Sequence, residues 1–171
     1  MRIAIFGGSF NPPHLGHLHS ARAAAEQLRP DRFLVIPDHE PPHKLLAEGS
    51  PSPQQRLEMC RLGFSDIPNA EVSGIELARG GRSYTADTLR EISAEAPDAE
   101  LVLLVGTDMF LSIDRWYDAA YILQRAVIAP FQRSPEELSA IERKAEELKT
   151  NYGARVEIIA SEPFVASSTS I

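Results

Sequence analysis

The sequence predicts an α/β sandwich built on a mostly parallel sheet. Short apolar runs alternate with helical patterns along nearly the whole chain. The first run, Ile3-Ala-Ile-Phe6, is continuously apolar, as a strand covered on both faces must be. Two runs stop at glycine, at Gly7 and at Gly106. Both glycines then fall at carboxyl ends of strands, on the rim where such sheets take ligands.

In chain order, Gly7 and Gly8 follow the first strand. Without a Cβ they permit unusual dihedrals and close approach of a ligand to the main chain. Pro12 and Pro13 stiffen the loop and cannot prolong the strand. Residues 16–28 are alanine-rich and helical in period, with Leu18, Ala21, Ala25 and Leu28 near one face. A strand, a glycine turn and a helix start together aim backbone N–H groups at an anion. His14 and His17 lie about one helical turn apart, so both can face the same phosphate. Either histidine alone reads as a solvated loop residue; the whole constellation reads as a cradle for a polyphosphate.

Phe33-Leu-Val-Ile36 is the second strand. Residues 37–53 form a long loop with five prolines and no period, a length that marks functional or disordered segments. Residues 53–64 are an amphipathic helix, on which Cys60 reads as a small core residue and not a nucleophile. A helix over 85–95 leads to the strand Leu101-Val-Leu-Leu-Val105. A helix over 119–124 leads to Ala126-Val-Ile-Ala129. The charged helix over 135–150 turns Leu138, Ile141, Ala145 and Leu148 inward, and Val156-Glu-Ile-Ile159 is a terminal strand. Right-handed crossovers are the default.

At 171 residues the chain fits one domain with a substantial core, and no repeat or linker divides it. No apolar stretch has the length of a membrane span, and the first one stops too early for a signal peptide. Cys60 is the only cysteine, which excludes an intrachain disulfide and favours the cytoplasm. A net charge of −7 argues against nucleic-acid binding, which needs a basic stripe. A nucleotide needs only a few local cations and backbone donors. His19, His39 and His43 show no metal-ligand spacing, so no protein-held metal is expected.

The segment His14-Leu-Gly-His17 resembles the mark of the nucleotidyltransferase superfamily. Gly7-Gly-Ser-Phe-Asn-Pro-Pro-His14 is similar to one branch of it, the bacterial nicotinate-nucleotide adenylyltransferases. Pro41-Pro-His-Lys44, Ser83-Tyr-Thr-Ala-Asp-Thr-Leu89, Gly106-Thr-Asp108 with Trp116, and Ser167-Ser-Thr169 follow in that family's order. The resemblance implies a Rossmann-like three-layer sandwich and transfer of AMP from ATP to nicotinate mononucleotide. The products are the deamido dinucleotide and pyrophosphate, in NAD biosynthesis. Other acceptors (nicotinamide mononucleotide, phosphopantetheine) and a non-catalytic nucleotide-binding relative are the alternatives.

The same resemblance implies the site. His14, His17 and Lys44 are the catalytic set, the histidines on the ATP phosphates and Lys44 as a mobile point charge. Gly7, Gly8, Ser9, Phe10, Gly106, Asp108, Ser167, Ser168 and Thr169 join the histidines in binding ATP, with Asp108 near the ribose. Asn11, Lys44, Ser83, Tyr84, Thr85, Trp116, Tyr117 and Arg133 bind nicotinate mononucleotide, with Trp116 stacked on the pyridine ring. Plainer roles compete: Lys44 as a solvated lysine, Ser83 and Asp108 as N-caps, Trp116 as core. Mg²⁺ arrives with ATP, held by phosphates and water. The partners are small molecules, neither nucleic acid nor membrane, with a homodimer as the default oligomer. The sequence stops at Ile171, where the family continues with an arginine and a helix. Residues 1–171 therefore read as one nucleotidyltransferase domain lacking its C-terminal helix, with part of the ATP site incomplete.

Overall fold

Five parallel strands form one sheet in a computed structural model that describes residues 1–42, 46 and 48–160. The strands are β1 (Arg2–Gly8), β2 (Arg32–Pro37), β3 (Ala70–Val72), β4 (Glu100–Gly106) and β5 (Ala126–Phe131). Their order across the sheet is β3-β2-β1-β4-β5. The helices are α1 (Leu15–Leu28), α2 (Pro53–Gly63), α3 (Ile75–Arg79), α4 (Thr85–Glu95), α5 (Thr107–Leu111), α6 (Ala119–Arg125) and α7 (Leu138–Tyr152), with 3-10 turns at Ile113–Arg115 and Pro135–Glu137.

Strand periodicity divides the core into two layers. Ile3, Ile5, Leu34, Ile36, Leu101 and Leu103 point to one side, where α4, α6 and α7 supply Leu89, Ile122 and Leu148. Ala4, Phe6, Phe33, Val35, Val102 and Leu104 point to the other, where α1 and α2 supply Ala24, Leu28 and Cys60. Helices on both faces make the three-layer α/β sandwich, and the double cover explains the uninterrupted apolar runs. Among the described residues, no helix is long and apolar enough to cross a membrane.

The register aligns the strand ends. Gly8 is opposite Pro37, and Gly106 is opposite Phe131. The chain leaves β1 toward β2 and β3, then crosses back to β4. The order therefore reverses between β1 and β4, and a crevice opens there at the carboxyl ends.

Several expectations need correction. Residues 156–159 form no strand; a single parallel bridge links Val156 to Ile128, and Glu157 and Ile159 donate to Ile128 and Pro130 carbonyls. Leu138 is 39% exposed, because it opens α7 where the helix leaves a 3-10 turn; Ile141, Ala145 and Leu148 are buried as expected. Leu18 is half-buried while its neighbours Ser20 and Ala24 are buried, so the buried face of α1 is rotated slightly. Gly7 and Gly8 do not adopt positive φ; Phe10 does, at 46°. Its ring is wedged edge-on against Phe6, His17 and Phe64, with centroids 5.3, 5.0 and 5.5 Å away, which holds a bulky residue in a region it disfavours.

Candidate active site

A cavity of about 490 Å³ lies in the crevice between the ends of β1 and β4. Gly7, Gly8, Ser9, Phe10 and Asn11 line it from the β1 turn, and Gly106 from β4. A methyl group on Gly7 would meet only the Ile36 carbonyl, at 3.8 Å. Packing does not demand glycine there, so its bare backbone serves the open side of the turn. Asn11 donates from Nδ2 to Ser50 Oγ at 3.0 Å, while its Oδ1 is buried without a partner among the described residues.

His14 and His17 cap α1 reciprocally. The Gly16 N–H donates to His14 Nδ1 at 3.0 Å, and the His14 N–H donates to His17 Nδ1 at 3.0 Å. The two rings stack with centroids 3.8 Å apart. A ring nitrogen that accepts carries no proton. In each neutral ring the proton therefore sits on Nε2, which makes that atom a donor. Burial lowers the His14 pKa, and the Arg133 guanidinium lowers it further. Arg133 lines the cavity, within 3.6 Å of where a Gly106 Cβ would be. Two imidazole donors, a guanidinium and the first turn of α1 thus converge on one end of the cavity, a combination suited to phosphate oxygens.

A buried ion pair holds this end in place. Arg56 on α2 is fully buried and donates from Nη1 to Ser9 O at 2.7 Å and to Asp38 Oδ1 at 3.0 Å, and from Nη2 to His39 O at 3.3 Å. Asp38 Oδ2 accepts from Ser9 Oγ at 2.9 Å, and the Asp38 N–H donates to Gly8 O at 2.9 Å. The glycine turn and the segment after β2 are tied into one piece.

Ser83, Thr85, Trp116 and Glu76 also line the cavity. Ser83 is not the N-cap of α4; Tyr84 takes that position without a side-chain cap bond, and Ser83 Oγ turns away to accept the His39 N–H at 2.8 Å. Trp116 lines the cavity with its ring partly packed on the core, and its Nε1 donates to Ser112 Oγ at 3.4 Å. Core packing and a place on the cavity wall are both met by this one side chain. Tyr84 and Tyr117 pack on each other at 4.8 Å and do not line the cavity. Asp108 is exposed in the first turn of α5, also off the cavity wall, and the N-cap is Gly106. Lys44 and Ser167, Ser168 and Thr169 lie outside the described residues.

The sequence reading missed three charged residues here: Asp38, Arg56 and Glu76. Arg56 did leave a signal, because it falls on the buried face of α2 beside Leu57 and Cys60. Glu76 left none, since the five residues of α3 are too few to show a period.

Residues 5–171 match the sequence model of the cytidylyltransferase-like family. A relative from Citrifermentans bemidjiense, named "Probable nicotinate-nucleotide adenylyltransferase", is 42% identical over 141 residues, 82% of this chain and 65% of its own length. The chain thus spans just under two thirds of that relative. One of the same name from Carboxydothermus hydrogenoformans is 38% identical over 170 residues, 99% of this chain and 83% of its own. The solved structure of Plasmodium falciparum nicotinic acid mononucleotide adenylyltransferase complexed with NaAD superposes with a TM-score of 0.74, covering 96% of this chain and 77% of that one. At 16% identity that likeness establishes the fold alone.

Proposed function

We propose, since the chain belongs to the cytidylyltransferase-like family, that it transfers AMP from ATP to nicotinate mononucleotide, releasing pyrophosphate. The names of its relatives support this choice of acceptor. One observation carries the chemistry: the His14–His17 pair, each ring fixed with Nδ1 as acceptor, beside Arg133 at the tip of β1.

The acceptor phosphate attacks the α-phosphorus of ATP, the new P–O bond forms, and the bond to pyrophosphate breaks. The attacking oxygen is already anionic near neutral pH, so no strong general base is required. Catalysis then rests on holding two polyanions in line and stabilising charge on the transferred phosphoryl group. The Nε2–H groups of His14 and His17 donate to those oxygens, and Arg133 adds a fixed positive charge. Lys44 is assigned a further charge from the loop after β2. Trp116, on the cavity wall, offers an aromatic face to the pyridine ring.

Among the described residues no three His, Cys, Asp or Glu side chains converge as a metal cage. Mg²⁺ enters this proposal only as the ion that travels with ATP, in the cytoplasm, and no step above runs through it.

The test is pyrophosphate release by the purified chain with ATP and each acceptor in turn. Release with nicotinate mononucleotide, well above that with phosphopantetheine, is the expected result. Release with phosphopantetheine alone, or with neither acceptor, overturns the proposal.

A further inference from the structure

Glu76 is a buried acid on the cavity wall with no part in the phosphoryl transfer just described. It lies on α3, is 7% exposed, and lines the cavity, as do Ser83, Thr85 and Trp116. Thr88 on α4 donates from Oγ1 to Glu76 Oε2 at 2.6 Å. Arg79, on the same short helix, donates to Thr88 Oγ1 at 3.1 Å but forms its ion pair with Glu91, at 3.2 Å. The carboxylate of Asp38, across the cavity wall, is engaged by Arg56 at 3.0 Å. Glu76 therefore has hydroxyl partners and a neighbouring carboxylate, while the nearby guanidinium groups are committed elsewhere.

We propose that Glu76 determines whether this site takes an acidic or an amide acceptor, through its place beside Asp38 at the Ser83–Thr85 wall. The proposal rests on the reaction proposed above. As a neutral acid, Glu76 leaves one carboxylate, Asp38, near the ring, and its own proton is available to an anionic ring substituent. As a carboxylate, it sets a second negative charge beside that substituent and instead accepts hydrogen bonds from a carboxamide. A second like charge on the wall of the same cavity discriminates against an anionic substituent.

The titration falls where this choice matters. Burial pushes the Glu76 carboxyl up to about 7, and the Asp38 charge adds to the rise. The Thr88 hydroxyl, the Arg79 guanidinium and the Ser83 hydroxyl oppose it. Among the described residues, His39 and Arg56 adjoin this wall; His39 Nδ1 bonds the Gly81 carbonyl at 2.9 Å and Arg56 pairs with Asp38. Below this range the acidic acceptor is tolerated, and above it the amide gains.

The experiment is pyrophosphate release with ATP and either nicotinate mononucleotide or nicotinamide mononucleotide, from about pH 6 to about pH 8.5. The quantity read is the ratio of the two kcat/KM values. Titration of the histidines, of ATP and of the shared acceptor phosphate divides out of that ratio. The acid-to-amide ratio falls about tenfold across the range in the parent chain. Glu76→Gln makes it flat. Thr88→Val removes a bond that favours the charged form, so it moves the midpoint to higher pH. A parent ratio constant within about twofold, or a slope that survives Glu76→Gln, overturns the assignment while the reaction stands. No release with either acceptor overturns the reaction and this assignment together. Should Glu76→Gln not fold, the parent profile and the Thr88→Val midpoint still decide.

Discussion

His14 and His17 cap a helix, and the proposed reaction gives each a second task at the cavity. The cap uses Nδ1 of both rings, and the proton this leaves on Nε2 is what a phosphate needs. Replacing His17 by Ala removes one capping bond, worth about 1 kcal/mol, so α1 and the fold persist. The lost donor costs kcat about a hundredfold or more. Circular dichroism matching the parent, with kcat reduced to that extent, is the expected outcome; near-parental turnover contradicts it. His14 also reports on its neighbour. Its pKa is held low first by burial and then by Arg133. A nearby cation disfavours the imidazolium, so Arg133→Gln lets His14 take up its proton at higher pH. NMR titration of the ring shows this as a midpoint moved upward, still below the ordinary value because burial remains. Much at this scale was legible in advance. Gly7-Gly-Ser and His-Leu-Gly-His are contiguous, so the chain itself brings them together. Asp38, Arg56 and Glu76 are not contiguous with one another, and only folding makes them neighbours.

At the scale of elements, α2 is held down by a charge. Its buried face carries Arg56 beside Leu57 and Cys60. An arginine is tolerated there because Asp38, Ser9 O and His39 O receive its N–H groups, though its Nε lacks a partner among the described residues. Arg56→Met leaves the Asp38 carboxylate, with only 10% of its side chain exposed, without its counter-ion. The expected loss is about 3 kcal/mol, read as a lower denaturant midpoint at unchanged m-value. The long elements were visible in the sequence because each repeats its period several times. The residues of α4 were found to the residue, Thr85–Glu95. Three-residue β3 and five-residue α3 were not, since a pattern needs more than one turn or two alternations to appear. Residues 156–159, Val-Glu-Ile-Ile, read as a strand for the opposite reason. Three β-branched apolar residues suit a strand, but only Val156 forms a bridge with β5.

The whole molecule places its most sensitive thiol where nothing reaches it. Cys60 is fully buried between α2 and the sheet, and burial pushes its pKa up to about 12. Thiolate is scarce at neutral pH, so a thiol reagent modifies the native chain at least about a thousandfold more slowly than the denatured chain. Labelling kinetics in rising denaturant then measure the opening of the α2 layer, and fast labelling of the native chain contradicts this packing. At this scale the sequence disclosed the layers and the rim, because alternation and double-sided burial are both written locally. It did not disclose the strand order. That order follows from the crossing back to β4, which no local pattern encodes.

Asp38 lies on the cavity wall between two groups that it influences. It bonds the glycine turn through Ser9 Oγ and Gly8 O, and its charge bears on Glu76. In the proposed reaction, a nucleotide that draws on Ser9 changes the field at Glu76 through Asp38. Nucleotide occupancy and proton occupancy are then linked quantities, and each must shift the other by the same free energy. A single carboxylate thereby makes the two half-sites thermodynamic correspondents across the sheet's central seam.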